Sequence, residues 1–87
     1  MNNFKHHTRT PLYLVGSRHH VIYSGDERLH IGCVQHSFKT WIYEIDRIGK
    51  NYNYSNEEIE EYKCYVKIAV LLYGTEEDAD LVIETNF

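Results

Sequence analysis

The chain has 87 residues and a net charge of −4, and 43% of its residues are hydrophobic. This length supports one domain, which buries only about 60% of the surface that its unfolded chain exposes. The longest apolar run, at 70–73, is far below the roughly 18 residues of a membrane span, and residues 1–10 lack the apolar segment of a signal peptide. Two cysteines are too few for a disulfide framework, so we expect a cytoplasmic protein with reduced thiols.

Charge is unevenly distributed along the chain. Residues 1–50 carry seven basic and four acidic side chains, whereas residues 51–87 carry two basic and nine acidic ones. All six histidines lie at or before His36. This asymmetry permits an anionic ligand on the first half or a basic partner on the second half. Nucleic-acid binding is not expected, because the chain lacks a strong basic stripe.

The hydropathy pattern of the first third predicts a short antiparallel sheet. Residues 1–10 read as a polar N-terminal arm, and residues 11–87 as a single α+β domain. Apolar and β-branched runs bounded by turn residues predict three strands, at 12–15, 21–23 and 28–31.

The turn cluster at 24–27 predicts the register of the second and third strands. A four-residue turn pairs Ile22 with Leu29 and His20 with Ile31. This register places both pairs on the same face of the sheet as Cys33. If the pairing continues, Cys33 lies opposite Arg18. A slip of one residue would reverse every one of these assignments.

Helical spacing predicts two amphipathic helices after the sheet. The first spans residues 38–49 with Ser37 as its N-cap. The second follows a capping box at 55–58, in which a serine N-cap and a glutamate at N3 each satisfy a backbone N–H, and Gly74 ends it. The β-branched residues 81–83 predict a final edge strand or a docked tail.

The start of the first predicted helix is a candidate anion site. Backbone N–H groups at a helix N-terminus favour negative charge. Basic, polar and histidine side chains cluster there or join it across the predicted sheet, and the candidate ligand-binding set is Arg18, His20, His30, His36, Ser37 and Lys39. The expected ligand is a small phosphate-bearing molecule, such as a nucleotide. The alternative is that Ser37 merely caps its own helix.

A C-x-x-H pair at the strand-to-helix junction raises two further hypotheses. Cys33 and His36, with His20 placed nearby by the predicted register, could contribute to a zinc site, which needs about four ligands. Cys33 could also act as a thiol nucleophile, because a helix N-terminus lowers thiol pKa values. A single C-x-x-H pair supplies two of the zinc ligands, so we expect no cofactor, with zinc as the alternative. No acidic or amide side chain is clearly placed to orient a base, so the sequence favours a binding role and leaves catalysis open.

Tyrosines form a candidate partner surface. Tyr52, Tyr54 and Tyr65 lie near the second helix, and tyrosine is enriched in protein interfaces. They could bind a host protein or a second copy of the chain in a homodimer. Packing within the loop explains them equally well.

The stretch H-I-G-C-V-Q-H-S at 30–37, followed by Trp41, resembles a small domain common in phage and prophage proteins. Residues 49–73 are similar to the same family's second helix, whose usual form is G-Y-S-x-x-E-I-E-E-Y. In relatives this domain accompanies pentapeptide-like or other β-solenoid repeats. The resemblance implies no particular activity, but it implies a phage-encoded protein that acts in the host cytoplasm, as in counter-defence.

Three functional hypotheses follow from the sequence. The first is a non-enzymatic binding module that sequesters or recognises an anionic ligand. The second is an inhibitor or interaction domain that acts on a host protein through its tyrosines and its acidic helix. The third is a small metal-dependent or thiol enzyme centred on Cys33 and His36.

Overall fold

A four-stranded antiparallel sheet packs against three helices in the computed structural model, which describes residues 11–87. The strands follow one another in space in chain order: β1 (Leu12–Val15), β2 (His20–Tyr23), β3 (Leu29–Ile31) and β4 (Val34–His36). The helices are α1 (Phe38–Asn51), α2 (Asn56–Tyr73) and α3 (Glu76–Glu84). The α+β class with an antiparallel sheet is confirmed. The predicted arm at 1–10 lies outside the described residues.

The prediction of three strands is wrong, because residues 34–36 form a fourth strand that makes a third hairpin with β3. Ile31 pairs with Val34 across a two-residue turn of Gly32 and Cys33. Gly32 has a φ of +61°, whereas Cys33 does not have a positive φ, as in type II′ turns. Gly32, which the sequence pattern placed at the end of the third strand, is therefore the first residue of the turn. The three-residue β4 is too short to show an alternating pattern of its own.

The predicted register of β2 and β3 is wrong by one residue. Tyr23 pairs with Leu29, and Val21 pairs with Ile31, because residues 24–28 form a five-residue loop. Gly25 and Glu27 in this loop both have positive φ values. The slip reverses the faces, so Val21 and Tyr23 point into the core while His20 and Ile22 lie on the outer face.

The C-terminal segment is a helix and not the predicted edge strand. The Thr75 side chain accepts a hydrogen bond from Asp78 N, and the Asp78 carboxylate accepts one from Thr75 N, both at 3.1 Å. This capping box has aspartate in place of the usual glutamate, and it starts α3. The helix buries Val82 in the core. Within residues 11–87, no helix is long and apolar enough to cross a membrane.

Both predicted helices are confirmed. Ser37 caps α1 by accepting a hydrogen bond from Thr40 N at 3.2 Å. Ser55 and Glu58 form the predicted capping box of α2, with distances of 3.1 and 2.8 Å. The buried side chains of these two helices join the core face of the sheet, and the core includes Val21, Leu29, Ile31, Trp41, Ile45, Ile48, Tyr62 and Val66.

The hydroxyl of Tyr62 fastens the β1–β2 loop to α2. It accepts hydrogen bonds from Arg18 N at 2.9 Å and from His19 N at 2.6 Å, and it donates to His19 O at 3.0 Å. Gly16 permits this approach, because a Cβ atom there would lie 2.5 Å from the Tyr62 oxygen. A single side chain thus satisfies three backbone groups of a loop 43 or more residues away in sequence.

A Schellman motif ends α1 and turns the chain towards α2. Tyr54 N donates to Gly49 O at 2.9 Å, and Asn53 N donates to Lys50 O at 3.1 Å. Asn53 has a φ of +63°, the left-handed conformation that this motif requires. Gly49 is also required for packing, because a Cβ atom there would lie 2.7 Å from Ile59 Cγ1.

We expect Tyr62→Phe to lower the free energy of unfolding by about 1–3 kcal/mol, because it removes the hydrogen-bond partner of three backbone groups. Chemical denaturation measures this loss. Tyr43→Phe is the control, since Tyr43 lies on the surface of α1 and is 59% exposed. Equal denaturation midpoints for the two variants would contradict the anchoring role of the Tyr62 hydroxyl.

We expect Asn53→Gly to leave stability unchanged or raise it, and Asn53→Ala to lower it by about 1 kcal/mol. The reason is that alanine is strained at positive φ, whereas glycine is not. Thermal unfolding of the two variants gives the comparison. A more stable alanine variant would show that the left-handed conformation is not maintained in solution.

Candidate functional site

A pocket of about 200 Å³ lies between α1, the β3–β4 hairpin and the β1–β2 loop. It is partly open to solvent, and most of its lining is apolar. Its apolar lining comes from α1 (Trp41, Ile45 and Ile48), from the β3–β4 hairpin (Ile31 and Val34) and from α2 (Ile59 and Tyr62). The pocket is therefore a recess in the edge of the hydrophobic core.

The volume of the pocket limits what it can hold. An apolar cavity of about 150 Å³ is large enough to bind benzene, whereas sites for drug-sized ligands measure about 300–1,000 Å³. The pocket thus has room for one aromatic ring system and not for a larger ligand.

Aromatic side chains form much of the wall and are held in fixed positions. Trp41 is 2% exposed, and its Nε1 donates to Leu29 O at 2.8 Å. The rings of Tyr54 and Tyr62 meet edge to face, with centroids 5.2 Å apart. Because each ring is held by a hydrogen bond or by ring packing, this part of the wall is preorganised for a flat group.

His19 and Tyr54 form a pair at the polar side of the pocket. Their rings stack with centroids 5.9 Å apart, and His19 Nδ1 lies 2.5 Å from the Tyr54 hydroxyl. Gly32 makes room for the imidazole, because a Cβ atom there would lie 3.0 Å from His19 Cγ and Cδ2. The two loops that carry His19 and Gly32 thus meet at the pocket.

Arg18 lies beside the pocket but is engaged by neighbouring groups. Its guanidinium lies 4.6 Å from the centre of the Tyr54 ring and donates to Asn53 O at 2.9 Å and to Tyr52 O at 3.3 Å. It also pairs with the Glu58 carboxylate at 3.1 Å. The Ser55 N–H and then the Arg18 charge hold the pKa of Glu58 below its ordinary value, so this carboxylate balances the charge of Arg18 at neutral pH.

The structure does not bring the six predicted anion-binding residues together. Arg18 contacts the C-terminal end of α1, and Ser37 caps its N-terminal end. A helix of 14 residues is about 21 Å long, so these two side chains lie at opposite ends of α1. His36 packs edge-on against Trp41, with ring centroids 5.2 Å apart, and Lys39 lies 3.5 Å from the Glu77 carboxylate.

His20 and His30 lie on the outer face of the sheet. His20 Nδ1 is 2.7 Å from the Tyr13 hydroxyl, and His30 Nε2 is 3.4 Å from the Asp26 carboxylate. His36 pairs with Leu29 and therefore faces the core. Two of the predicted histidines are thus on the opposite side of the sheet from the third.

The same geometry separates the candidate zinc ligands. Cys33 is exposed in the β3–β4 turn, His36 faces the core, and His20 faces outward. Within residues 11–87, no three histidine, cysteine or acidic side chains are grouped closely enough to hold a metal ion. The corrected register is the reason, because the predicted one had placed His20 on the same face as Cys33.

The three predicted partner-surface tyrosines occupy different environments. Tyr52 is 54% exposed and lines the pocket. Tyr54 is half-buried against His19 and Arg18. Tyr65 is also half-buried, and its hydroxyl donates to Glu61 at 2.6 Å. Of the three, Tyr52 presents the most accessible ring.

His19 is a pocket residue that the sequence analysis missed. The predicted register put it on the sheet face away from Cys33, whereas both residues line the pocket. Gly16 and Gly32 in the sequence could have indicated that another residue packs closely against each of them. The sequence spacing alone does not identify that residue.

The structure gives structural roles to most of the sequence motif at 30–41. Gly32 supplies a turn residue at positive φ, and Ser37 caps α1. His36 contacts Trp41, whose indole hydrogen bonds to β3. The motif therefore specifies the connection between the β3–β4 hairpin and α1, and its residues Ile31, Cys33 and Trp41 line the pocket.

We expect Glu61 to make stability depend on pH in the acid range. The Ser17 and Tyr65 hydroxyls hold the pKa of Glu61 below its ordinary value of 4.5. The folded state therefore prefers the carboxylate, so this stabilisation is present above pH 4.5 and is lost as the pH falls below it. Chemical denaturation at several pH values should show a weaker acid dependence for Glu61→Gln.

Glu57→Gln is the control for this measurement, because Glu57 is an exposed acid in the first turn of the same helix. An acid dependence that Glu61→Gln leaves as steep as in the unaltered protein would exclude Glu61 as its source.

Comparison with known proteins gives no assignment: no protein-family model, no curated protein and no solved structure matches the chain.

Proposed function

We propose that this protein is a non-enzymatic binding module that holds a flat ring in the pocket between α1, the β3–β4 hairpin and the β1–β2 loop. The observation that carries the proposal is the pocket itself, an apolar recess of about 200 Å³ with Trp41, Tyr54 and Tyr62 in its wall. Such recesses with a few polar groups at the edge are the usual form of small-ligand sites.

The geometry favours a ring over the phosphate group that the sequence analysis expected. Arg18 is the one predicted anion-binding residue beside the pocket, and Glu58 balances its charge. Ser37 is occupied in capping its own helix. If the ligand is a nucleotide, we expect its base to bind in the pocket and its phosphate to add no affinity.

Catalysis gains little support from the arrangement around Cys33. The histidine among the pocket-lining residues is His19, and Nδ1 of that imidazole is engaged with the Tyr54 hydroxyl. The residues that line the pocket include no carboxylate to orient a catalytic base. Ligand binding, unlike catalysis, requires neither a free base nor a carboxylate to orient it.

The second candidate function is binding to a host protein, which would place an aromatic side chain in the pocket. The observation that favours it is the exposure of Tyr52 at the pocket, since exposed tyrosines are enriched at protein interfaces. The resemblance to phage and prophage domains adds support for a target in the host cell and for a role in counter-defence. This support is an analogy between folds and families.

We expect indole to bind the pocket saturably, with a dissociation constant on the order of 1 mM or lower for a ligand of its size. In NMR titrations, indole should shift the backbone amides of 31–34 and 48–54. Inorganic phosphate should produce no saturable shifts at 36–39. The reverse pattern would overturn the ring proposal and support the anion site at the start of α1.

Two controls locate the binding site. Tyr52→Ala should weaken indole binding, whereas Tyr43→Ala should not, because Tyr43 is a similarly exposed tyrosine of α1 that does not line the pocket. Indole should also slow the alkylation of Cys33 but not of Cys64, an exposed cysteine on α2. Equal protection of both cysteines would indicate nonspecific binding.

A further inference from the structure

His19 lies at the polar side of the pocket, and its hydrogen bonds indicate which of its ring nitrogens donates and which accepts. A neutral imidazole has one nitrogen that donates and one that accepts, and the partner of one nitrogen fixes the role of the other. Nδ1 of His19 lies 2.5 Å from the Tyr54 hydroxyl. Nε2 has no hydrogen-bond partner among residues 11–87.

The tautomer of His19 follows from the surroundings of Tyr54. Burial and the nearby Tyr62 hydroxyl raise the pKa of Tyr54 to about 12, so Tyr54 keeps its proton at neutral pH. The Tyr62 oxygen already accepts two N–H groups, which occupy both of its lone pairs. With Nδ1 accepting the Tyr54 proton, the hydrogen of an uncharged His19 ring is on Nε2.

The imidazole is also held in place. Its Cδ2 edge packs against Gly32, and its ring lies nearly parallel to the Tyr54 ring, with Nδ1 directed at the Tyr54 hydroxyl. Arg18 on the same loop crosses the Tyr54 ring, and the Tyr62 hydroxyl bonds the backbone of His19 at both N and O. Nε2–H is thus the remaining hydrogen-bond donor of a side chain that lines a largely apolar pocket.

We propose that His19 Nε2–H selects ligands whose flat ring carries a hydrogen-bond acceptor at its edge, a ring nitrogen or a carbonyl oxygen. This inference rests on the proposed function and specifies its ligand class: a neutral heteroaromatic ring. The Tyr54 hydroxyl acts as a positioning group, because it fixes which imidazole nitrogen holds the hydrogen. A ring whose edge acceptor reaches Nε2–H gains a hydrogen bond that a hydrocarbon ring in the same pocket lacks.

Indole and benzimidazole test this inference, because they have the same shape and differ by one acceptor nitrogen. We expect benzimidazole to bind about 2- to 12-fold more tightly than indole, as one additional hydrogen bond predicts. His19→Phe keeps an aromatic ring and removes both nitrogens, so this variant should bind the two probes equally. NMR titration at neutral pH measures all four affinities, and the same spectra show whether the variant is folded.

The outcomes separate the two proposals. If neither probe binds the unaltered protein at the pocket, the proposed function is overturned, and this inference with it. If both bind with equal affinity, the ring-binding function stands and the role of His19 is overturned. A preference for benzimidazole that survives in His19→Phe also overturns the role of His19 and assigns the selection to another group.

Tyr54→Phe provides a second measurement with a different readout. Removing the hydroxyl lets the hydrogen of His19 move between the two nitrogens, which ¹⁵N chemical shifts of the imidazole report directly. We expect the unaltered protein to show the Nε2–H form and the variant to show a mixture, with a smaller preference for benzimidazole. An Nδ1–H form in the unaltered protein would overturn the inference.

Discussion

The Tyr62 hydroxyl joins the two parts of the chain that define this structure. It is buried at the centre of α2, yet it makes three hydrogen bonds, all to the backbone of the β1–β2 loop. Because an unsatisfied buried hydroxyl is costly, the loop and the helix stabilise each other at this point. Glu61, the residue before it, adds bonds to the Ser17 side chain and backbone. The position of His19, and with it one wall of the pocket, follows from this attachment.

The pocket exists because two chain reversals meet next to α1 without filling the space between them. Gly32 lacks the side chain that would push His19 away, and Gly49 lets Ile59 approach α1 closely. Trp41 contributes its ring to the pocket while its Nε1 is bonded to β3. The same residues that close the core therefore leave an apolar recess at its edge, with His19 as its polar side.

The elements set by local chemistry could be predicted from the sequence, and those set by long-range contacts could not. Ser37, Ser55 and the apolar spacing of both long helices are local signals, and the structure confirms both helices. The strand register depended on the length of one loop, where Glu27 adopts a positive φ that its residue type does not predict. That one-residue error put His20 beside Cys33 and hid His19, because a slip moves every side chain of a strand to the other face.

The residues that line the pocket are far apart in the sequence, so ligand binding to the pocket is coupled to folding. His19 and Tyr62 are 43 residues apart and belong to opposite halves of the chain, so no contiguous fragment of one half can form the site. A ligand that needs both walls binds the native state and not the unfolded chain. Mass action then stabilises the native state as ligand concentration rises above the dissociation constant. A ligand bound in this pocket would therefore lower the population of unfolded chain that proteases attack.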